Sequence, residues 1–239
     1  MTNKIKVAIN GLGRIGRHIF KMCIDHSHIE LVGINEINPD LNNWAYTLNY
    51  DSIYGQSEKK SEVINNKIIC DGKTISTSIE NDINKVPWKE WGARIIIDAS
   101  GVLENIVKFR KIIEKNTVEK IIFTNSPDNV DFTMILGVNE GEYKPETHNL
   151  ISSSICDATA IAPIAKIIDE SYKIKLGYIT TLHPWLSYQN LMDGPSSSWS
   201  VPGKVYHHYA LGRSAIGNMI PKPTSAVDAV FKVLPDLTK

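Results

Sequence analysis

The chain has 239 residues, 42% of them apolar and 22% charged, with 26 basic residues set against 26 acidic ones. Such a chain can bury one sizeable core or two modest ones, and its neutral balance offers no broad field for nucleic acid or an anionic membrane surface. No apolar run approaches the roughly 20 residues that span a bilayer, and no charged-then-apolar leader precedes the first strand-like stretch, so a cytoplasmic protein without a membrane partner is expected. Cys23, Cys70 and Cys156 are an odd number at wide spacing, which points to reduced thiols rather than a disulfide framework. His207 and His208 are adjacent and poorly placed to share a metal, and no other Cys/His ligand spacing occurs, so no metal is expected.

In chain order, apolar runs predict strands over 6–10, 30–35, 94–98, 120–124 and 133–136, with helical periodicity over 14–25 and 102–115. Strand–helix–strand alternation with continuously apolar strands indicates an α/β fold whose parallel sheet is covered on both faces. The polar, alternating stretch 57–85, with its Asp71-Gly72 turn, reads as a hairpin excursion. A second region begins near 152. It shows a helix with Ala160, Ile161, Ile164 and Ile168 on one side, a strand over 175–182, a loop over 184–203 and a last helix over 225–234. One strand and two helices do not make a self-contained domain.

The first strand runs into Gly11-x-Gly13-x-x-Gly16 at the head of the first helix. In this pattern Gly11 allows a tight turn, Gly13 a close approach of backbone to pyrophosphate, and Gly16 the packing of helix on strand. The helix N-terminus offers free N–H groups to phosphates. Glu36, about 20 residues on at the end of the second strand, can accept from ribose hydroxyls and would repel a 2′-phosphate, so NAD is expected over NADP. Together these features describe a Rossmann dinucleotide-binding unit.

Cys156 opens the helix of the second region, where the dipole favours a nucleophilic thiolate. A thiolate there can attack an aldehyde, lose hydride to a nicotinamide, and be left as a thioester for water or phosphate to open. His183 ends the following strand and is the candidate base for the hydroxyl proton. Cys23 and Cys70 read as small buried hydrophobes.

Several segments together resemble glyceraldehyde-3-phosphate dehydrogenase: Ile9–Arg17 (INGLGRIGR), Asn49–Gly55 (NYDSIYG), Ser100-Gly101-Val102 and Gly137-Val138-Asn139. The match continues through Cys156, Ala162-Pro163, Thr180–His183 (TTLH), Asp193–Ser196 (DGPS) and Asn218–Pro221 (NMIP). The resemblance implies that Gly11, Gly13, Arg14, Ile15, Gly16, Glu36, Ser100, Gly101 and Thr124 contact NAD. It likewise makes Cys156 the nucleophile and His183 the base, and places Thr224 at a ligand for substrate or inorganic phosphate. It also implies a homotetramer in which the segment from Pro184 to about Arg213 reaches a neighbouring subunit's cofactor.

Departures from the family cluster at the phosphate site. The family's cysteine follows a serine and precedes threonine, threonine and asparagine, whereas here Ile155 precedes it and Asp157, Ala158 and Thr159 follow. Leu186 stands for a threonine and Ser225 for a glycine. The chain is expected to be C-terminally incomplete, ending before the family's later phosphate-clamping arginine. The expected organisation is a Rossmann dinucleotide-binding domain over 1–155, followed over 156–239 by the first part of an α+β catalytic domain. The expected activity is NAD-dependent oxidation of glyceraldehyde 3-phosphate or a related small aldehyde. Two alternatives stay open: an enzyme that hydrolyses its thioester, and a relative that keeps NAD but has lost catalysis.

Overall fold

β-branched runs such as Ile95-Ile96-Ile97 suit a pleated surface packed on both faces, and they form the centre of the fold. The computed structural model describes residues 4–186, 189–195, 209–221 and 223–238, side chains at 210 and 211 excepted. The chain divides into two compact units, Met1–Met134 with Glu140–Ser154, and Ile135–Asn139 with Ile155–Lys239.

The first unit runs β1 (Ile5–Asn10), α1 (Arg14–Asp25), β2 (Ile29–Asn35), α2 (Leu41–Asn49), the small hairpin β3 (Tyr50–Asp51) and β4 (Gly55–Gln56), then β5 (Ser61–Ile64), β6 (Lys67–Cys70) and β7 (Lys73–Ser78). It continues through β8 (Ile95–Asp98), α3 (Asn105–Glu114), β9 (Lys120–Phe123), β10 (Phe132–Thr133) and β11 (Leu150–Ser152). Nine of these strands make one sheet in the order β10-β11-β9-β8-β1-β2-β7-β6-β5. The pairings from β10 to β7 are parallel and those of β7, β6 and β5 antiparallel. Strand order reverses beside β1, with β2 on one side and β8 on the other, the point where doubly wound sheets bind ligands.

Each face of this sheet is covered. Phe109, Phe123, Ile96, Ile121 and Trp88 pack on one side, and Phe20, Ile34, Leu31, Trp44 and Ile75 on the other. Each such side chain stabilises the fold by about 1.5–3 kcal/mol relative to exposure. The excursion over 57–85 is β5–β6–β7. Its two turns, Asn65-Asn66 and Asp71-Gly72, hold both central residues at positive φ, the twist that two-residue hairpins require. β7 then joins the main sheet beside β2. Helix α2 and strand β11 were not expected from the sequence, and of the expected strand over 133–136 only Thr133 is in a strand, the two-residue β10. The signal for α2 was present: Asp40 caps it by accepting from the N–H groups of Asn42 and Asn43, and Trp44, Ala45 and Leu48 form its buried side.

In the second unit α4 (Ala158–Tyr172) packs against α5 (Ala226–Phe231), with single 3-10 turns at Tyr209–Gly212 and Pro235–Thr238. Its core joins Ile135, Val138, Ile155, Ala158, Ala162, Val230 and Val233. The strand expected over 175–182 is a correction: it is extended chain without a ladder partner among the described residues. Leu176, Tyr178 and Leu182 are 77%, 92% and 90% exposed, and a strand is defined only by the neighbour it pairs with. His207, His208 and much of the loop over 184–203 lie outside the described residues.

Asp51 locks the β3–β4 turn by accepting from the N–H groups of Ile53 (2.8 Å) and Tyr54 (3.0 Å), with Arg17 at 3.5 Å. These hydrogen bonds hold its carboxyl down at about 2, against an ordinary 3.8. A depressed folded value means that the charge stabilises fully above the unfolded value and that this contribution is lost as pH falls toward the folded one. Asp51→Asn is therefore expected to lower Tm at neutral pH, with the gap to wild type closing between about pH 4 and pH 2. Thermal unfolding across that range checks this, and a gap that stays constant contradicts it.

Candidate active site

The candidate cofactor residues of the first unit stand at the carboxyl ends of parallel strands, in the turns that follow them, or, for Arg14, Ile15 and Gly16, in the first turn of α1. Gly11 has φ +91°, and a Cβ there would lie 2.7 Å from the Ser100 backbone, so the turn after β1 requires glycine. A Cβ on Gly16 would run into the carbonyl oxygen of Gly11, so α1 approaches its own entry turn as closely as it does only without a side chain. Gly13 faces open space and caps α1 without a side-chain bond, and α1 has no acidic residue in its first turn. The N–H groups of Arg14, Ile15 and Gly16 have no partner among the described residues, and Arg14 and Ile15 are exposed. This is a ready anion site with space in front of it.

Glu36 follows β2 and is already engaged. Its Oε2 accepts from Leu12 N at 2.5 Å and its Oε1 from Asn38 N at 3.2 Å, so it ties the end of β2 to the glycine turn while keeping acceptor capacity. Ser100 Oγ accepts from Val102 N and Asn105 Nδ2, ordering the turn at Gly101, which has φ +74°. Thr124 donates to the Asp98 carbonyl through its N–H (3.0 Å) and its hydroxyl (3.2 Å).

Beneath these residues lies a network that the sequence reading missed. Asn35 Nδ2 donates to Asn10 Oδ1, and Asn10 Nδ2 donates to Asp98 Oδ1, both at 2.8 Å. Asp98 Oδ1 also accepts from Ser100 N at 3.2 Å. Asp98 is 1% exposed and its Oδ2 has no partner among the described residues; burial pushes its carboxyl up from the ordinary value. The signal was a polar residue closing each of three strands whose preceding residues are mostly apolar: Asn10, Asn35 and Asp98.

In the second unit Cys156 is exposed immediately before α4, with φ +58°, a conformation that a non-glycine residue adopts at a cost of order 1 kcal/mol. Local bonds hold it there: Cys156 O accepts from Thr159 N, and Thr159 Oγ1 accepts from Ile155 N, while Ile155 itself is buried. Asp157 caps α4 through Oδ1 on Ala158 N at 3.1 Å. Its Oδ2 lies 3.3 Å from His183 Nε2, which also sits 3.2 Å from Thr181 Oγ1. A carboxylate only accepts, so Nε2–H is the donor. The structure thus brings His183 to Asp157, and Cys156 Sγ makes no hydrogen bond to a described residue. Thr224 and Ser225 are exposed before α5, and Thr224 Oγ1 accepts from Ala226 N. Among the described residues no group of His, Cys, Asp or Glu could hold a metal, and no helix is long and apolar enough to cross a membrane.

Gly16→Ala is expected to lower stability by about 1–3 kcal/mol through overpacking and to weaken NAD binding by opening the turn. Chemical unfolding and a fluorescence titration with NAD check both effects; a variant that binds NAD as wild type does contradicts the role given to this contact.

Comparison with known proteins adds to this geometry. Residues 5–106 match the family described as glyceraldehyde 3-phosphate dehydrogenase, NAD binding domain, and residues 155–239 its C-terminal domain. Among curated relatives, glyceraldehyde-3-phosphate dehydrogenase 1 of Bacillus subtilis (strain 168) is 34% identical over 233 residues. The glyceraldehyde-3-phosphate dehydrogenases of Cochliobolus heterostrophus and Eremothecium gossypii are each 36% identical over the same length. The matched stretch is 98% of this chain and 66% of each relative, so the chain spans slightly less than two thirds of their length. On these matches, the chain belongs to the glyceraldehyde-3-phosphate dehydrogenase family.

Proposed function

We propose that the protein carries out NAD-dependent oxidation of an aldehyde, glyceraldehyde 3-phosphate or a related small one, through Cys156. The observation that carries this reading is the exposed thiol at the N-terminal end of α4, with the His183 imidazole anchored to the next residue of the chain. The unpaired N–H groups at the head of α1, the open face of Gly13 and the acceptor Glu36 fit a dinucleotide, as does the match of residues 5–106. When bound, NAD supplies the hydride acceptor. Gly11, Gly13, Arg14, Ile15 and Gly16 are assigned to its pyrophosphate, Glu36 to its adenosine ribose, and Ser100, Gly101 and Thr124 to the remaining contacts.

The Cys156 thiolate adds to the aldehyde carbon, and the resulting alkoxide takes a proton from solvent to give a thiohemiacetal. Hydride leaves that carbon while His183 takes the hydroxyl proton, and the carbonyl re-forms as a thioester. Inorganic phosphate or water then adds to the thioester and the C–S bond breaks, returning the thiolate. Thr224 and Ser225 are assigned to phosphate binding at this stage. Cytoplasmic residence and a homotetramer belong to the same proposal. The exposed Leu176, Tyr178, Leu182 and Trp185 support association, because apolar surface of this kind is commonly covered by a neighbouring subunit.

NADH formation is expected from glyceraldehyde 3-phosphate or another small aldehyde. Cys156→Ser should abolish it, and His183→Gln should lower kcat by about 100-fold or more. Stopped-flow absorbance with each variant decides this. Lack of NADH with every aldehyde, while NAD still binds, would leave the NAD-binding relative without catalysis as the correct reading. Thiol labelling gives a second check: burial raises the thiol of Cys23 to about 11 and raises that of Cys70 as well. Iodoacetamide at neutral pH is therefore expected to modify Cys156 first in the folded chain, and mass spectrometry showing equal labelling of all three would contradict it.

A further inference from the structure

The end of α4 that carries the thiol already holds an anion of the chain's own. Asp157 Oδ1 accepts from Ala158 N, and Oδ2 faces His183 Nε2. The Asp157 side chain is 21% exposed and that of His183 42%, so the carboxylate is held at the helix end rather than turned to solvent. A helix N-terminus favours one negative charge, and once a carboxylate is fixed there a second anion meets repulsion instead. The dipole that would attract a phosphate is thereby largely answered beside Cys156.

We propose that Asp157 is a specificity-determining residue: held between the first N–H of α4 and the His183 imidazole, its carboxylate keeps a second anion, inorganic phosphate included, from the space beside the Cys156 sulfur and admits neutral groups there. The inference rests on Cys156 as the nucleophile and specifies what it works on. The aldehyde is uncharged next to its reacting carbon, and the acyl acceptor is water. Because Nε2–H points to Asp157, neutral His183 presents the Nδ1 lone pair as its basic atom. After Nδ1 has released to solvent the proton it took in the hydride step, water adds to the thioester carbon as Nδ1 takes one of its protons, the C–S bond breaks, and a carboxylic acid leaves with the Cys156 thiolate restored. This step is a hydrolysis and needs no oxidant or reductant beyond the NAD that accepts hydride in the step before it.

Two alkylating agents test the idea. Iodoacetamide is neutral and iodoacetate anionic, yet both react with the same Cys156 thiolate. The thiolate fraction cancels in the ratio of their rate constants, which leaves the charge selectivity beside the sulfur. The ratio is measured at one fixed pH in wild type, Asp157→Asn and Asp157→Thr. Asn and Thr both serve as helix N-caps, and circular dichroism verifies the fold of each variant. Wild type is expected to prefer iodoacetamide, and that preference should fall by about threefold in both variants. An unchanged ratio in both variants, or a wild type that prefers iodoacetate, overturns the proposal. Neither NAD nor an aldehyde is present, so the outcome is independent of whether the chain oxidises aldehydes.

Discussion

Three polar side chains, Asn35, Asn10 and Asp98, are hydrogen-bonded in a row across the carboxyl ends of β2, β1 and β8, and the candidate cofactor site rests on that row. Parallel strands buried on both faces have little to fix the path of the chain where they end. The row does so from below. Asn10 precedes the glycine turn, Asp98 receives the N–H that opens the Ser100 turn, and the Asp98 carbonyl receives both donors of Thr124. Glu36 adds a bond from the end of β2 to Leu12 inside the glycine turn. A carboxyl as buried as Asp98 is costly unless its bonds are made, so the interaction trades stability for a defined geometry where a ligand binds.

The thiol end of the second unit is built from more local forces. Cys156 sits in a left-handed conformation flanked by local hydrogen bonds, with Ile155 buried on one side and the α4 cap on the other. Strain of that kind is kept where a side chain must be presented to solvent at a set angle. Asp157 does two things at once there, capping the start of α4 and binding His183. Asp157 is also one of the positions at which this chain departs from the pattern its sequence resembles.

Much of the first unit was legible because its strands are short and rich in Ile and Val, and its glycine turn has a single sterically required form. α1 spans Arg14–Asp25, as its periodicity indicates, and β1, β2, β8 and β9 fall within a residue of the expected ranges. α2 was missed because Asn42, Asn43, Thr47 and Asn49 make its pattern polar, leaving only Trp44, Ala45 and Leu48 to declare a face. β11 is three residues long, too short for any periodicity to register. In the second unit the helices were readable in place but not in facing, since Ala160, Ile164 and Ile168 of α4 are exposed while Ala158 and Ala162 are buried, and 175–182 was not readable at all. Its apolar alternation describes a strand, but strand formation depends on a partner and no local sequence contains one. The Asp157–His183 pair was equally out of reach, since 26 residues separate its members and each alone reads as ordinary.

The account turns on Cys156 forming a covalent acyl intermediate whose oxidation state depends on NAD. Mass spectrometry of the intact chain after rapid mixing with an aldehyde and acid quenching reads this directly. The account predicts an acyl adduct that maps to the Cys156 peptide when aldehyde and NAD are both present, and that is absent when NAD is omitted. No adduct on Cys156, or an acyl adduct that forms equally well without NAD, would contradict it.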